Sequence, residues 1–239
     1  MGGVDDWSEV LVEQARYYDA RAPEYDDWFF RRGRYDRGTE STERWFTEVE
    51  QAAAALDELA FDGADVLELA PGTGLWTQRF IDRVGSLSVV DASVEMVEVA
   101  QRRLGERWNG VVFEQADLFE WEPSREFDGV VFCFWISHVP QVRLNTFIEK
   151  VARSVRLGGF VYFLDGRREH QSTAPDHVLP ERGEEAMTRR LDGGQEFTII
   201  KNFWEPVDLV ARFARCGIEL TVVETPTYFQ FATGIRTGH

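Results

Sequence analysis

The stretch VLELAPGTGLWT, residues 66–77, decides the fold. An apolar run stops at a proline and two glycines, and an amphipathic segment follows. Such a bare turn after a buried strand lets a ligand approach the backbone, and a helix N-terminus beyond it offers free N–H groups. In open α/β sheets, ligands settle at the carboxyl ends of strands, near the point where strand order reverses.

The flanking chain fits such a sheet. Residues 41–60 read as a helix, with Trp45, Phe46, Val49, Ala53, Leu56 and Leu59 at helical spacing. Strand-like runs follow at Val66–Leu69, Leu87–Val90, Val111–Glu114, Gly129–Phe134 and Phe160–Leu164. Helical patterns lie between them at Leu75–Val84, Val94–Arg103 and Leu144–Val155, the last closed by Gly158-Gly159. This alternation predicts a parallel sheet with right-handed crossovers, its strands apolar because both faces are covered. After residue 165 the pattern changes. EEAMTRRLDGGQEFTIIKNFW predicts an antiparallel hairpin turning at Gly193-Gly194. Pro206 opens a helix that Gly217 stops, and ELTVVETPTYFQFATGI supplies one or two further strands.

Polar or aromatic groups stand at four successive strand ends. The first carries the glycine turn, the second Asp91 and the third Asp117; the fourth runs out through FCFWISHVP. Asp91 follows the glycines by about 20 residues, the distance at which a carboxylate reaches ribose hydroxyls. A dinucleotide site wants a third glycine for close helix packing. Here that position is Thr77, beside bulky Trp76, which speaks against NAD.

Glu68-Leu69-Ala70-Pro71-Gly72-Thr73-Gly74 resembles the first motif, E-x-G-x-G-x-G, of the class I S-adenosylmethionine-dependent methyltransferases, with Ala70 in place of the first glycine. The resemblance covers residues 15–165 best. Within the family, the lead-in YYDARAPEYDDW and the aromatic fourth-strand exit are similar to the small-molecule enzymes of the ubiquinone/menaquinone-biosynthesis type. It implies an α/β, Rossmann-like, doubly wound fold. The sheet would be mostly parallel and seven-stranded, with an antiparallel C-terminal part and an N-terminal helical lid. A single domain over 1–239 would divide into a lid (1–60), a cofactor-binding core (61–166), and a substrate loop, hairpin and last strands (167–239).

The resemblance also implies roles. Glu68, Ala70, Gly72 and Gly74 would surround the methionyl end of S-adenosylmethionine. Asp91 and Ala92 would hold the ribose, Met96 and Leu118 the adenine faces, and Asp117 the adenine amino group. Phe134 would line the cleft by the methionyl part, and Tyr25 or Tyr18 from the lid would face the reaction centre. Tyr18, Trp28 and Trp135 are the candidates for holding a small-molecule acceptor. His138, four residues past Phe134, is the candidate general base, since its ordinary pKa suits proton acceptance near neutrality; a loop-ordering hydrogen bond is the competing role. Oxygen is the first expectation for the acceptor atom, ahead of nitrogen and carbon. A nucleotide-binding module without transferase activity is the alternative from another class.

The 239 residues carry a formal net charge of −16, which disfavours nucleic acid as partner. The start lacks the pattern of a targeting peptide, and no run approaches the ~18 apolar residues of a membrane span. The expectation is a cytoplasmic chain that contacts no membrane. Cys133 and Cys216 have no metal-ligand spacing. Asp165, His170 and His177 match no standard metal motif, so no metal is expected, and residues 164–187 read as a mobile substrate loop. RYYDARAPEYDDWFFRRGRYDRG packs aromatic rings among charges, as a closing lid would. Its Arg31, Arg32, Arg34 and Arg37 either hold an anionic substrate group or form a solvated basic face. His239 is expected to be a disordered end.

Overall fold

The central strands alternate their side chains between two covered faces, as apolar runs of this length dictate. The structure is a computed structural model describing residues 7–238, so MGGVDD and His239 lie outside the described residues. Helices α1 (Ser8–Arg21), α2 (Tyr25–Phe29) and α3 (Thr39–Asp57) come first. The alternating part runs through β1 (Asp65–Leu69), α4 (Thr77–Phe80), β2 (Ser86–Asp91), α5 (Val94–Leu104), β3 (Val112–Gln115), β4 (Phe127–Cys133), α6 (Leu144–Ser154) and β5 (Val155–Gly166). A hairpin of β6 (Ala186–Arg190) and β7 (Glu196–Ile200) follows, then α7 (Pro206–Arg215), β8 (Ile218–Glu224) and β9 (Phe229–Arg236).

The sheet order is β3-β2-β1-β4-β5-β9-β8, with β6 and β7 paired separately. β1 pairs in parallel with β2 and β4, while β9 runs antiparallel to both β5 and β8. Strand order therefore reverses between β1 and β4, where the glycine turn emerges. Val66, Val131 and Tyr162 face Trp45, Val49 and Leu56 of α3. Their neighbours Leu67, Val130 and Phe163 face Leu144 and Ile148 of α6 and Leu209 and Phe213 of α7. Among the described residues no helix is long and apolar enough to cross a membrane.

Three local expectations shift. The helix expected over Leu75–Val84 shrinks to Thr77–Phe80, followed by turns. Ten helical residues rise ~15 Å, slightly less than the ~16.5 Å of a five-residue strand, so a looser path is needed to return to the far edge. The Gly158-Gly159 pair does not stop α6, which ends at Ser154; it lies inside β5, where Gly158 has φ +75° and the register with β4 shifts. Finally, β3 ends at Gln115, so Asp117 stands two residues beyond it.

Candidate active site

Above the reversal point lies a cavity of about 460 Å³. Its floor comes from the strand ends: Ala70 and Gly72 after β1, Asp91 and Ala92 after β2, Asp117 and Leu118 after β3, and Cys133, Phe134 and Trp135 after β4. Met96 closes one side, and Tyr18, Asp19 and Tyr25 form part of the roof. Gly72 has φ +57°, a left-handed conformation that suits glycine. Gly74, at φ +76°, lies outside the cavity wall, and a Cβ there would sit 3.0 Å from Ala100 of α5. Ala70 and Phe134 are also left-handed, at φ +52° and +57°, so both strand exits carry backbone strain of ~1–2 kcal/mol per residue.

Asp91 accepts the Gly72 N–H at 3.3 Å and the Ser93 N–H at 2.9 Å, which ties the second strand end to the turn of the first. Desolvation pushes its carboxyl up to about 6. Among the described residues Asp117 accepts only the Phe119 N–H, at 2.9 Å, which leaves one of its oxygens for a ligand. Carboxylate acceptors at the second and third strand ends, an apolar slot between Met96 and Leu118, and a cavity of this size fit a nucleoside carrying hydroxyls and an amino group. Glu68 does not line the cavity. It is fully buried, accepts the Thr77 hydroxyl at 2.8 Å, and desolvation pushes it up to about 8.

Glu68 thus stays protonated at neutral pH in the folded chain, whereas an unfolded one ionises. Its raised pKa lowers stability as pH climbs from the ordinary carboxyl range toward 8. Glu68→Gln, which keeps an acceptor for Thr77, should raise unfolding free energy at pH 7.5 by about 4 kcal/mol and leave it unchanged near pH 4. Denaturant melts at the two pH values check this; equal shifts at both would contradict it.

A second, smaller cavity of about 50 Å³ adjoins the first. Tyr18, Tyr25, Phe134 and His138 line both. Trp28 lines only the second and Trp135 only the first, so the two tryptophans expected beside an acceptor stand in different cavities. The second cavity is cationic, with Arg21, Arg167, Arg189 and Lys201 in its wall. Arg21, at the end of α1, is 6% exposed, yet no carboxylate or carbonyl among the described residues takes its guanidinium. It meets only ring faces: Tyr25 at 4.8 Å, Tyr17 at 5.4 Å and Trp28 at 6.0 Å. Lys201 is matched by buried Asp165 at 3.3 Å and touches Ser137 Oγ at 2.7 Å. Arg189 donates to His177 Nδ1 at 2.8 Å and to Thr173, neither an anion, and its Nε has no partner.

His138 sits in the shared wall. Its Nδ1 lies 2.7 Å from the Ile200 carbonyl, which can only accept, so Nδ1 carries the proton. Nε2 then accepts from the Tyr18 hydroxyl at 2.7 Å. Burial, with the charges of Lys201, Arg189 and Arg21, holds the imidazole well below its ordinary pKa. Gln14 of α1 locks the arrangement, taking the Ile200 N–H at 2.9 Å and donating to the His138 carbonyl at 3.3 Å.

The lid arginines behave differently from either expectation. Arg31 donates to the carbonyls of Gln171 (2.5 Å) and Ser172 (3.4 Å), and Arg37 to that of Thr173 at 2.9 Å. Arg34 holds Asp176 and the Arg190 carbonyl, and only Arg32 lies on an exposed face. Trp28 Nε1 adds a bond to the Ser172 carbonyl at 2.7 Å. The expected mobile loop is thus pinned to the lid, because its irregular backbone offers carbonyls that a guanidinium fork can satisfy. Asp165 and His177 are committed to Lys201 and Arg189, and no group of three metal-ligating side chains occurs among the described residues.

Sequence reasoning missed Arg21, Arg189 and Lys201. Arg21 had a partial signal: it follows Tyr17 by four residues on one helix, which sets it beside that ring. Arg189 and Lys201 had none, since only the hairpin's docking on α1 brings them near.

A family model of a methyltransferase domain matches residues 66–159. An uncharacterised methyltransferase from Anoxybacillus flavithermus is 29% identical over 104 residues, 43% of this chain and about half (47%) of that protein's length. A solved structure of DhpI with SAH is 32% identical, covering 96% of this chain and 98% of the other, with TM-score 0.75. One described as a DhpI–SAM–HEP complex is 33% identical, with coverage of 95% and 98% and TM-score 0.76. A Burkholderia thailandensis 1,6-didemethyltoxoflavin-N1-methyltransferase shares the fold at 15% identity, covering 100% of this chain and 93% of the other, with TM-score 0.62.

Proposed function

The chain belongs to the S-adenosylmethionine-dependent methyltransferases, and from that premise we propose that it methylates an oxygen of a small acceptor that arrives as an oxyanion. The observation that carries this is buried Arg21, which has no counter-charge among the described residues, joined by Arg189 and Lys201 in the cavity that adjoins the cofactor-sized one. A buried cation left unpaired is costly. An oxyanion removes that cost and receives charge-assisted hydrogen bonds. At a net charge of −16 the surface does not attract anions, so these few cations must select the ligand locally.

In this reading, Gly72 and Ala70 leave room for the methionyl chain, Asp91 takes the ribose hydroxyls with Ala92 beside them, and Asp117 takes the adenine amino group between Met96 and Leu118. Bound there, S-adenosylmethionine supplies an electrophilic methyl group on a sulfonium. Phe134 and Tyr25 separate the two cavities and keep water out. Arg21 and Arg189 hold the acceptor so that an oxygen lone pair points across that boundary. Gripping an oxyanion weakens it as a nucleophile by a few kcal/mol, but alignment is worth ~7–11 kcal/mol and wins. An O–CH3 bond would form as the S–CH3 bond breaks, the sulfur leaving as a neutral thioether, so the product would be an ester and no proton would have to leave.

His138 then acts as the acceptor that orients Tyr18. A second reading keeps it as the base, because the Tyr18–Nε2 bond offers a relay from a neutral acceptor hydroxyl. The acceptor separates the two, because His138, held well below its ordinary pKa, is unprotonated from pH 6 to 8 in both: transfer to a neutral hydroxyl that His138→Ala abolishes, with none to an oxyanion, would support the base. In either case His138→Ala should cut turnover at least tenfold while cofactor affinity stays within about twofold. Equal losses in both would make His138 purely structural.

The oxyanion reading is tested with methyl-labelled S-adenosylmethionine and matched acceptors: carboxylates, phosphate monoesters and phosphonates against neutral alcohols and amines of the same skeleton. Labelled methyl esters should form from at least one oxyanion class. Transfer confined to amines or neutral alcohols would refute it.

A further inference from the structure

The oxyanion cavity encloses about 50 Å³. A water molecule needs ~10–15 Å³ on this measure, so the space admits a head group and little more. The rest of any acceptor must leave it. Arg167 and Phe203 line this cavity and also a cleft of about 390 Å³ on its other side. The Phe203 ring stands as the partition, with Lys201 Nζ and Arg168 Cζ each 5.5 Å from its centroid.

The cleft differs chemically from the cavity. Gln230 of β9 lines it and is 3% exposed; its Nε2 donates to the Trp204 carbonyl at 3.0 Å. Its Oε1 has no hydrogen-bond partner. That orphan acceptor costs about 1–3 kcal/mol until a donor reaches it. Glu205 and Glu224 also line the cleft, and Glu224 neutralises Arg167 at 2.9 Å. A second anionic group on the ligand is therefore disfavoured here, and an N–H donor favoured.

We propose that this cleft is a subsite for the far end of the acceptor and that it takes a nitrogen donor on Gln230 Oε1. The acceptor class is then an oxyanion bearing an ammonium or amide N–H a few bonds away. This rests on the oxyanion reading, from which the experiment separates it.

Methyl transfer is measured with matched pairs, each an alkyl phosphonate or carboxylate and its ω-amino or ω-acetamido counterpart, over chain lengths of two to five carbons. For the chain length that fits, the nitrogen-bearing member should exceed its plain partner at least tenfold in kcat/KM, chiefly through KM. In Gln230→Leu that ratio should fall to within about twofold. Gln230→Glu keeps an acceptor there and should retain a preference for the nitrogen-bearing member, larger for the ammonium than for the amide because the new acceptor is charged. S-adenosylhomocysteine binding shows that each variant is folded. Equal rates across all pairs in the wild type, or a ratio unmoved in Gln230→Leu, would overturn the subsite alone. No transfer to any oxyanion would overturn the oxyanion reading and the subsite with it.

Discussion

Arg21→Met loses acceptor turnover without losing stability. Methionine keeps the volume against Tyr17, Tyr25 and Trp28 and removes a buried charge that no carboxylate among the described residues offsets. Truncating one partner of a buried charge pair costs about 2–5 kcal/mol, so kcat/KM for the acceptor should fall a hundred- to a thousandfold. S-adenosylhomocysteine affinity should hold within a few-fold, because Arg21 lines only the smaller cavity. The melting temperature should stay level or rise, since the folded state no longer carries an unpaired cation. A structural arginine would give the opposite pattern: a marked drop in melting temperature with turnover per folded molecule preserved.

Asp91→Asn loses the cofactor. One carboxylate oxygen holds the Gly72 N–H and the other the Ser93 N–H, and the remaining lone pairs face the cavity. Hydrogen bonds to a charged acceptor are worth ~1.5–3 kcal/mol, so affinity for S-adenosylhomocysteine should fall about a hundredfold. The pH dependence carries the same sign. The free carboxyl ionises near 6, above its ordinary 3.8. Ribose hydroxyls favour the ionised form, so wild-type affinity should weaken progressively as pH falls below 6, approaching tenfold per unit, while the Asn variant shows no such slope. Holding Asp91 ionised also lowers stability, by an amount that grows between pH 4 and 6 and is constant above. The variant's amide nitrogen cannot accept, so it loses one of the two N–H bonds; what it should lack is the pH-dependent change between 4 and 6. Calorimetric titrations at pH 5, 6 and 7 check the affinity, and thermal melts the stability.

Arg21 and Asp91 share a property with Glu68: each costs the fold something, a common signature of groups placed for chemistry. That cost explains what was legible in the sequence. Runs such as Val66–Leu69 and Phe160–Leu164 alternate between two covered faces, so their pattern dictated the sheet, and Gly72 and Asp91 stand at fixed distances along it. The hairpin turn at Gly194, with φ +83°, and the Pro206 helix start were equally local. The acceptor side is assembled from α1, the loop after β5 and the β6–β7 hairpin, far apart in sequence and without a fixed spacing. No periodicity tells that Arg31 and Arg37 bind loop carbonyls while Arg21 meets only ring faces. That division depends on which carbonyls come within reach, a tertiary fact. Ala70 shows the reverse case: the motif reveals a missing glycine, but only the backbone shows that alanine there takes the strained left-handed conformation.

The central claim is that Arg21, Arg189 and Lys201 make an oxyanion site beside the cofactor. Its most direct measurement is calorimetric titration of small phosphonates and carboxylates into the protein saturated with S-adenosylhomocysteine, in wild type and in Arg21→Met. Saturable binding in the wild type, weakened by rising salt and at least a hundredfold poorer in the variant, is the predicted result. Oxyanion binding of equal strength in both proteins, or none in the wild type while the matching neutral alcohols bind, would contradict it.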